Sequence, residues 1–454
     1  MLFHSQEFIL LFLPLTIAAY YAVAANAALR QSVLIACSIF FYAWWDVRFV
    51  PLLVGQVLAT YALAAMSSEG KRAAPIVIGV LVNLGAIFTF KYLGFFLANI
   101  RAIGLPAPSV EIILPIGISF FSFQLISYLL DLRRGAAPLY PLRQFALVVL
   151  LFPHLIAGPI VRHRELVPQF DLDPRREGLA RRLTLGALLF SIGLVQKVLL
   201  AEPMALIVDP IFVKAQTAAL SFGEAWTAAL GFSFQLLFDF SGYSTMAIGI
   251  ALMLGLTFPE NFNRPYLATN LRDFWRRWHM TLSAFLRDYV YIPLGGNRHG
   301  AAVFTFATLA TMTLCGVWHG AAWTFIAWGG LHGAGMVVCR AWQTLQRPLP
   351  AAIGWALTMG FVLIGWVLFR APSFGVAADM LKIMAGSNGF GGRLEGGALM
   401  LLSAVVCAAL PPTHAIIDGA RPSALLGAAS ALATLACVLI VGEGAPTKFI
   451  YFQF

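Results

Sequence analysis

The chain has 454 residues, of which 60% are hydrophobic and only 11% are charged, and its mean hydropathy is +0.82. Soluble domains carry about 25% charged residues, so this composition excludes an ordinary soluble protein and indicates a polytopic integral membrane protein. The net charge of +10 predicts basic cytoplasmic loops. A nucleic-acid site is not expected, because no base-stacking platforms accompany the basic residues.

Apolar runs along the chain predict an all-α protein with roughly 10–12 transmembrane helices, plus interfacial and re-entrant helices. No internal repeat or flexible linker is evident, so one membrane domain is expected over residues 1–454. The first run, Phe8–Ala25, follows a segment without Lys or Arg, so we expect it to stay as a membrane helix and not to be cleaved as a signal peptide. All five cysteines lie in apolar runs, which favours packing roles over disulfides or a metal site.

Two broken elements interrupt the apolar pattern. Leu151–His163 carries two prolines, a glycine and two histidines, which is typical of a re-entrant or kinked segment surrounded by protein or by a cavity. Asp239 stands between two apolar runs. An intramembrane acid of this kind either pairs with a structural partner or lines a polar path, and we expect the partner.

The segment Asn270–Pro293 is rich in arginines and aromatic residues. Winding it at about 100° per residue puts Trp275 and other apolar side chains on one arc and Arg276 and Arg277 on the other, which predicts an amphipathic helix in the membrane interface. Its arginines suit an anionic donor such as a nucleotide or a phosphate. His279 lies at the border of the arcs, where it could turn toward a buried cavity or be an interfacial residue without chemistry.

His319 lies within Leu314–Phe325, between Gly316 and Gly320, in apolar sequence. An imidazole at membrane depth is costly, so it indicates a functional site, although a histidine bonded to a neighbouring carbonyl is the structural alternative. The two glycines would let another backbone or a ligand approach the ring.

Five motifs follow one another in the second half of the chain. They are Phe238–Ser244, Pro259–Tyr266, Phe274–His279, Leu286–Arg298 and Gly316–Trp323. In this order they resemble the membrane-bound O-acyltransferase family, in particular its bacterial alginate O-acetyltransferase-like branch. The resemblance implies a many-helix fold around a central tunnel, with a near-invariant histidine that maps onto His319 and a second polar residue that maps onto His279.

The resemblance also implies a reaction. Acetyl-CoA would be the donor, and the acetyl group would cross the bacterial inner membrane toward an exported polysaccharide or cell-wall glycan. A periplasmic acetyltransferase, or a protein like an SGNH hydrolase, would be the partner. Independently, transfer of an acetyl group from a thioester to a hydroxyl needs a base of pKa near 7, and imidazole fits that need.

The predicted catalytic residues are therefore His319, as the base, and His279, which would orient the donor or polarise its carbonyl. The predicted donor-binding residues are Arg276, Arg277, Trp318 and Trp323, and no metal is expected. We expect His332 to be a packing or supporting residue. Two other classes stay open: a proton-coupled transporter or flippase of a lipid-linked or acyl intermediate, and a scaffold that only anchors a periplasmic enzyme.

Overall fold

The computed structural model describes residues 1–442, which are helical and contain no strand. The all-α class is confirmed. The α-helices are α1 Leu13–Ala22, α2 Ala27–Ala43, α3 Val50–Met66, α4 Ala73–Ile87, α5 Leu93–Ala102, α6 Ile118–Arg133, α7 Leu142–Leu150, α8 Phe152–Leu155, α9 His163–Leu166, α10 Leu179–Val195, α11 Glu202–Lys214, α12 Phe222–Met253, α13 Leu271–Arg277, α14 Met280–Leu286, α15 Gly300–His319, α16 Trp323–Thr344, α17 Ala351–Arg370, α18 Phe374–Met384, α19 Gly397–Ala409, α20 Thr413–Gly419 and α21 Ala424–Gly442.

Seven helical segments within residues 1–442 are long and apolar enough to cross a membrane, or eight if α19 and α20, bent by 57°, form one span. The seven are Val47–Met66, Ala73–Ala102, Leu179–Lys214, Phe222–Met253, Gly300–His319, Ala351–Arg370 and Ala424–Gly442. The number is below the ten to twelve expected, because several apolar runs form helices too short to span. Helix α7, for example, has nine residues. The protein is a multi-pass membrane protein.

The described chain divides into two compact units. The first contains Met1–Ile192, Tyr243–Pro259 and, among the described residues, 421–442, and the second contains Gly193–Gly242 and Glu260–Ala420. The single domain expected over residues 1–454 stays a prediction.

The broken segment Leu151–His163 lies in the first unit and is buried almost throughout. It forms only the four-residue helix α8 before continuing as irregular backbone. Gly117, with φ 76°, packs so closely against it that a Cβ would lie 2.6 Å from the Leu155 carbonyl oxygen. Gln124 Nε2 lies 2.8 Å from His154 Nδ1. The prediction of a kinked element surrounded by protein is confirmed.

In the second unit, α15 and α16 pack tightly through glycines. A Cβ on Gly316 would collide with the Phe325 carbonyl oxygen, and one on Gly329 would collide with the Met312 carbonyl oxygen. Gly320 faces the Phe325 ring. The approach predicted for the glycines beside His319 is therefore made by the next helix of the chain.

The acid at position 239 is paired. Lys197 Nζ lies 2.6 Å from Asp239 Oδ1 and 3.6 Å from Glu202 Oε1, and the Lys197 and Asp239 side chains are 4% and 3% exposed. Lys197 belongs to a π-helical turn, Gln196–Ala201, between α10 and α11. The structural partner expected for Asp239 is confirmed.

The single amphipathic helix expected over Asn270–Pro293 is wrong. The chain forms α13 and α14, which are separated by Trp278 and His279, and His279 has a left-handed φ of 44°. The break is held by a loop near Asn261. The Met280 amide donates to the Asn261 carbonyl oxygen at 2.9 Å, and that bond takes the place of a continuing helical hydrogen bond.

Candidate active site

His319 is the last residue of α15 and is 4% exposed. Its ring centroid lies 4.9 Å from that of Trp318, 5.2 Å from that of Trp328 and 5.2 Å from that of Phe369. The helix ends here because Gly320 adopts an extended conformation. The imidazole is thus fixed by aromatic walls at a helix terminus, where it does not depend on a flexible loop.

His279 is fully buried and also contacts Trp318, with 6.0 Å between the ring centroids. It also packs edge-on against Phe240 at 4.6 Å. Burial lowers the pKa of His279 to about 3, so the ring is neutral at physiological pH. The two predicted catalytic histidines therefore meet the same indole from two separate segments of the chain.

Asn261 holds His279 in place. Its side-chain oxygen lies 3.1 Å from His279 Nδ1, and it accepts hydrogen bonds from the Thr281 amide at 3.3 Å and from the Thr281 hydroxyl at 2.9 Å. From sequence, Asn261 was only one of several polar residues in the Pro259–Tyr266 motif. Its role depends on a contact across 18 residues that no local pattern displays.

His332 joins the same aromatic cluster. Trp275 Nε1 donates to His332 Nδ1 at 3.3 Å, and the His332 ring lies 4.9 Å from that of Trp328. Trp328 in turn packs against His319. The break between α15 and α16 brings His332 close to the site, in the supporting position expected for it.

A cavity of about 480 Å³ opens beside this cluster. Five arginines line it, and we call them the arginine rim: Arg272, Arg276, Arg287, Arg298 and Arg340. Trp275, Thr308 and Thr311 also line it. Both threonine hydroxyls are buried and have no hydrogen-bond partner within residues 1–442. The cavity thus combines a cationic mouth with polar and aromatic inner walls that extend to Trp275, which packs on Trp328 at 5.9 Å.

The sequence of this chain matches a known protein family. The model of the membrane-bound O-acyltransferase family matches residues 87–376, which include both histidines and the whole arginine rim. The chain belongs to the membrane-bound O-acyltransferase family. It is accordingly an O-acyltransferase, and the transporter and scaffold alternatives are set aside.

Curated relatives of this O-acyltransferase modify several polymers. It is 40% identical to the peptidoglycan O-acetyltransferase of Helicobacter pylori, over 86% of this chain and 80% of the relative. It is 41% identical to a probable alginate O-acetylase of Pseudomonas syringae pv. tomato, over 85% and 75%. It is 30% identical to the teichoic acid D-alanyltransferase of Streptococcus thermophilus, over 56% and 68%.

The residues predicted to bind the donor are dispersed in the O-acyltransferase. Arg276 belongs to the arginine rim, and Trp318 lies between the two histidines. Arg277, in contrast, forms an ion pair with Asp273 at 2.8 Å, and Trp323 is 55% exposed. Within residues 1–442 there is no group of three or more His, Cys, Asp or Glu side chains that could hold a metal ion.

Proposed function

We propose that this O-acyltransferase transfers an acetyl group from cytoplasmic acetyl-CoA to a hydroxyl of an exported glycan in the bacterial inner membrane. What carries the proposal is the meeting of His279 and His319 on Trp318, next to an arginine-rimmed cavity of about 480 Å³. The similarity to a peptidoglycan O-acetyltransferase and a probable alginate O-acetylase favours an acetyl group and a glycan acceptor.

The arginine rim would bind the phosphates of the donor, because guanidinium groups form paired hydrogen bonds with phosphate oxygens. Arg276 and Arg298 are exposed at the mouth of the cavity, where a nucleotide could reach them. The pantetheine arm would then lie along Trp275 and the buried hydroxyls of Thr308 and Thr311. Arg277 and Trp323 remain predicted donor-binding residues with a weaker geometric case.

In the transfer step, the acceptor oxygen attacks the carbonyl carbon of the thioester, and the carbon–sulfur bond breaks. His319 takes the proton of the hydroxyl and returns it to the departing thiolate of CoA. His279 contributes a fixed polar atom that orients the donor. A neutral imidazole at position 319 is required for this step, because only the unprotonated ring can accept the proton.

The acceptor side involves a partner in our proposal. A periplasmic acetyltransferase, or a protein like an SGNH hydrolase, would receive the acetyl group and pass it to the polymer. Peptidoglycan and alginate are the first acceptors to compare, because the chain is equally similar to enzymes that carry either name.

The proposal is tested with purified protein in liposomes, radiolabelled acetyl-CoA outside, and peptidoglycan fragments or oligomannuronate inside, with and without the periplasmic partner. Wild-type protein should transfer label, and His319→Gln should reduce the rate by about 10²–10⁴-fold, the usual contribution of a general base. His4→Gln is the control, because the proposed mechanism gives this histidine no role. Undiminished transfer by a folded His319→Gln protein would refute the assignment.

A further inference from the structure

His279 adopts a backbone conformation that is uncommon for residues other than glycine. Its φ of 44° lies in the left-handed region, which costs a residue with a side chain about 1 kcal/mol or more. The conformation is maintained by the loop at Asn261, whose carbonyl oxygen accepts from the Met280 amide and whose side chain accepts from the Thr281 amide. Strain of this kind is retained where the direction of a side chain matters.

The contacts of Asn261 also fix which of its side-chain atoms faces His279. Amide oxygen and nitrogen have similar shapes, and only the hydrogen-bond network distinguishes them. Here the Thr281 backbone amide, 3.3 Å away, can only donate, so the atom that it meets is the oxygen. His279 Nδ1 lies 3.1 Å from that same oxygen. Two acceptors cannot share a hydrogen bond, so Nδ1 carries the proton.

A neutral imidazole has one N–H, so a proton on Nδ1 leaves Nε2 with a lone pair. His279 is fully buried, and within residues 1–442 its Nε2 atom has no hydrogen-bond partner. The ring is enclosed by Phe240 and Trp318. Most buried acceptors in proteins are hydrogen-bonded, so this atom is available to a group that residues 1–442 do not supply.

Several charged residues on the segments near His279 in the sequence are engaged in ion pairs. On the neighbouring segments, Glu260 binds His414 at 2.6 Å, Arg277 binds Asp273, and Asp239 binds Lys197. On α15, the titratable group next to the shared Trp318 is His319 itself. Asp239, Glu260 and Asp273 are thus occupied by other partners.

We propose that Asn261 is a positioning residue that locks His279 in the Nδ1–H form, so that Nε2 accepts a hydrogen bond from an N–H or O–H group of a bound substrate. The inference deepens the proposed function and rests on it. It excludes one of the two roles expected for His279, because an Nε2 atom without hydrogen cannot polarise the thioester carbonyl. Such an atom can orient an amide of the pantetheine arm, as expected, or a hydroxyl of the acceptor.

The tautomer is measured directly by ¹⁵N NMR of histidine-labelled protein in nanodiscs. The chain has eight histidines, so the His279 signals are assigned by difference from His279→Gln. We expect Nδ1 protonated and Nε2 unprotonated, with no titration between pH 5 and 8. Acetyl-CoA, which offers amide N–H groups, or an oligosaccharide, which offers only hydroxyls if it lacks amides, should shift the Nε2 signal. A proton on Nε2, or no shift with either compound, overturns the inference.

Kinetics supply the second measurement. Asn261→Ala should lower kcat/KM about 10–100-fold, the range seen when metal-bound histidines lose such a supporting hydrogen bond, and should mix the two tautomers in the spectrum. Asn261→Asp keeps an accepting oxygen and should retain both the tautomer and more of the activity. Asn263→Ala is the matched control, because Asn263 lies in the same loop and its recorded hydrogen bonds with Arg277 use backbone atoms of Asn263.

The two hypotheses fail in different ways. If wild-type protein transfers no acetyl group from acetyl-CoA, the proposed function fails, whatever the NMR spectrum shows. If wild-type protein is active and Asn261→Ala retains full activity with an unchanged tautomer, the inference about Asn261 fails alone.

Discussion

Replacing Lys197 with methionine should destabilise the protein by about 3–5 kcal/mol, the usual cost of leaving a buried charge without its partner. The distance of 2.6 Å to Asp239 corresponds to an attraction of about 6 kcal/mol at an effective dielectric constant of about 20. Removing two ions from water costs several kcal/mol each, so the pair contributes little net stability. A carboxylate deprived of its lysine retains the cost and loses the attraction.

Because the penalty comes from the unpaired carboxylate, Lys197→Met combined with Asp239→Asn should recover most of the lost stability. Glu202 then remains, and its side chain is 14% exposed, so it can be hydrated or protonated. Lys214→Met is the matched control on α11. Lys214 and Glu224 are 45% and 23% exposed, and such pairs contribute about 0–1 kcal/mol.

Stability is measured by denaturant titration in detergent, with the fluorescence of the 11 tryptophans as the signal. The wild type, Lys197→Met, Asp239→Asn and the double variant form a double-mutant cycle. A buried, coupled ion pair is refuted if Lys197→Met lowers the free energy of unfolding no more than Lys214→Met does. It is equally refuted if the double variant loses the sum of the two single losses, because a coupled pair must deviate from additivity.

Three further outcomes are expected. Arg276→Gln should raise the KM for acetyl-CoA about 3–10-fold with little change in kcat. High salt should reduce this difference in KM, because exposed charges are screened. An unchanged KM would exclude Arg276 from donor binding. Trp328→Ala should transfer propionyl and butyryl groups as well as acetyl, because removing the indole beside His319 leaves room for extra methylenes. Strict specificity for acetyl in an active variant would contradict this role of Trp328. Gly329→Ala should lower the free energy of unfolding in denaturant titrations by about 1–3 kcal/mol, because its Cβ would collide with the Met312 carbonyl oxygen. Gly330→Ala should be tolerated, because its Cβ would lie 3.9 Å from the nearest atom. Equal effects of the two substitutions would be inconsistent with the packing described.

Local physical rules predicted the parts of the site that depend on the cost of burial. His319 and Asp239 were recognisable because ionisable side chains are expensive in apolar surroundings, and the structure buries both. The kinked segment Leu151–His163 was recognisable from its prolines and glycine. The roles proposed for His279 and His319 could also be predicted from the sequence, because five motifs occur in the same order as in the acyltransferase family.

The rest depends on contacts between distant residues. Periodicity favoured one helix through Trp278 and His279, and it could not show that the loop at Asn261 binds the chain on the far side of the break. Lys197 was concealed within an apolar run, since one lysine changes a window average little. Within residues 1–442, fewer helices than expected are both long and apolar enough to span, because hydropathy reports which residues avoid water, whereas helix length depends on where the backbone turns.

The ion pair between Lys197 and Asp239 has a consequence for how the chain enters the bilayer during synthesis. A lysine near the centre of an inserting helix disfavours its release into lipid by about 2.5–3.5 kcal/mol. The segments that carry the two residues, Leu179–Lys214 and Phe222–Met253, are consecutive and are separated by only seven residues, 215–221. Leu179–Lys214 should therefore remain at the translocon until Phe222–Met253 has emerged from the ribosome. The two segments should then partition into the membrane together as a helical hairpin.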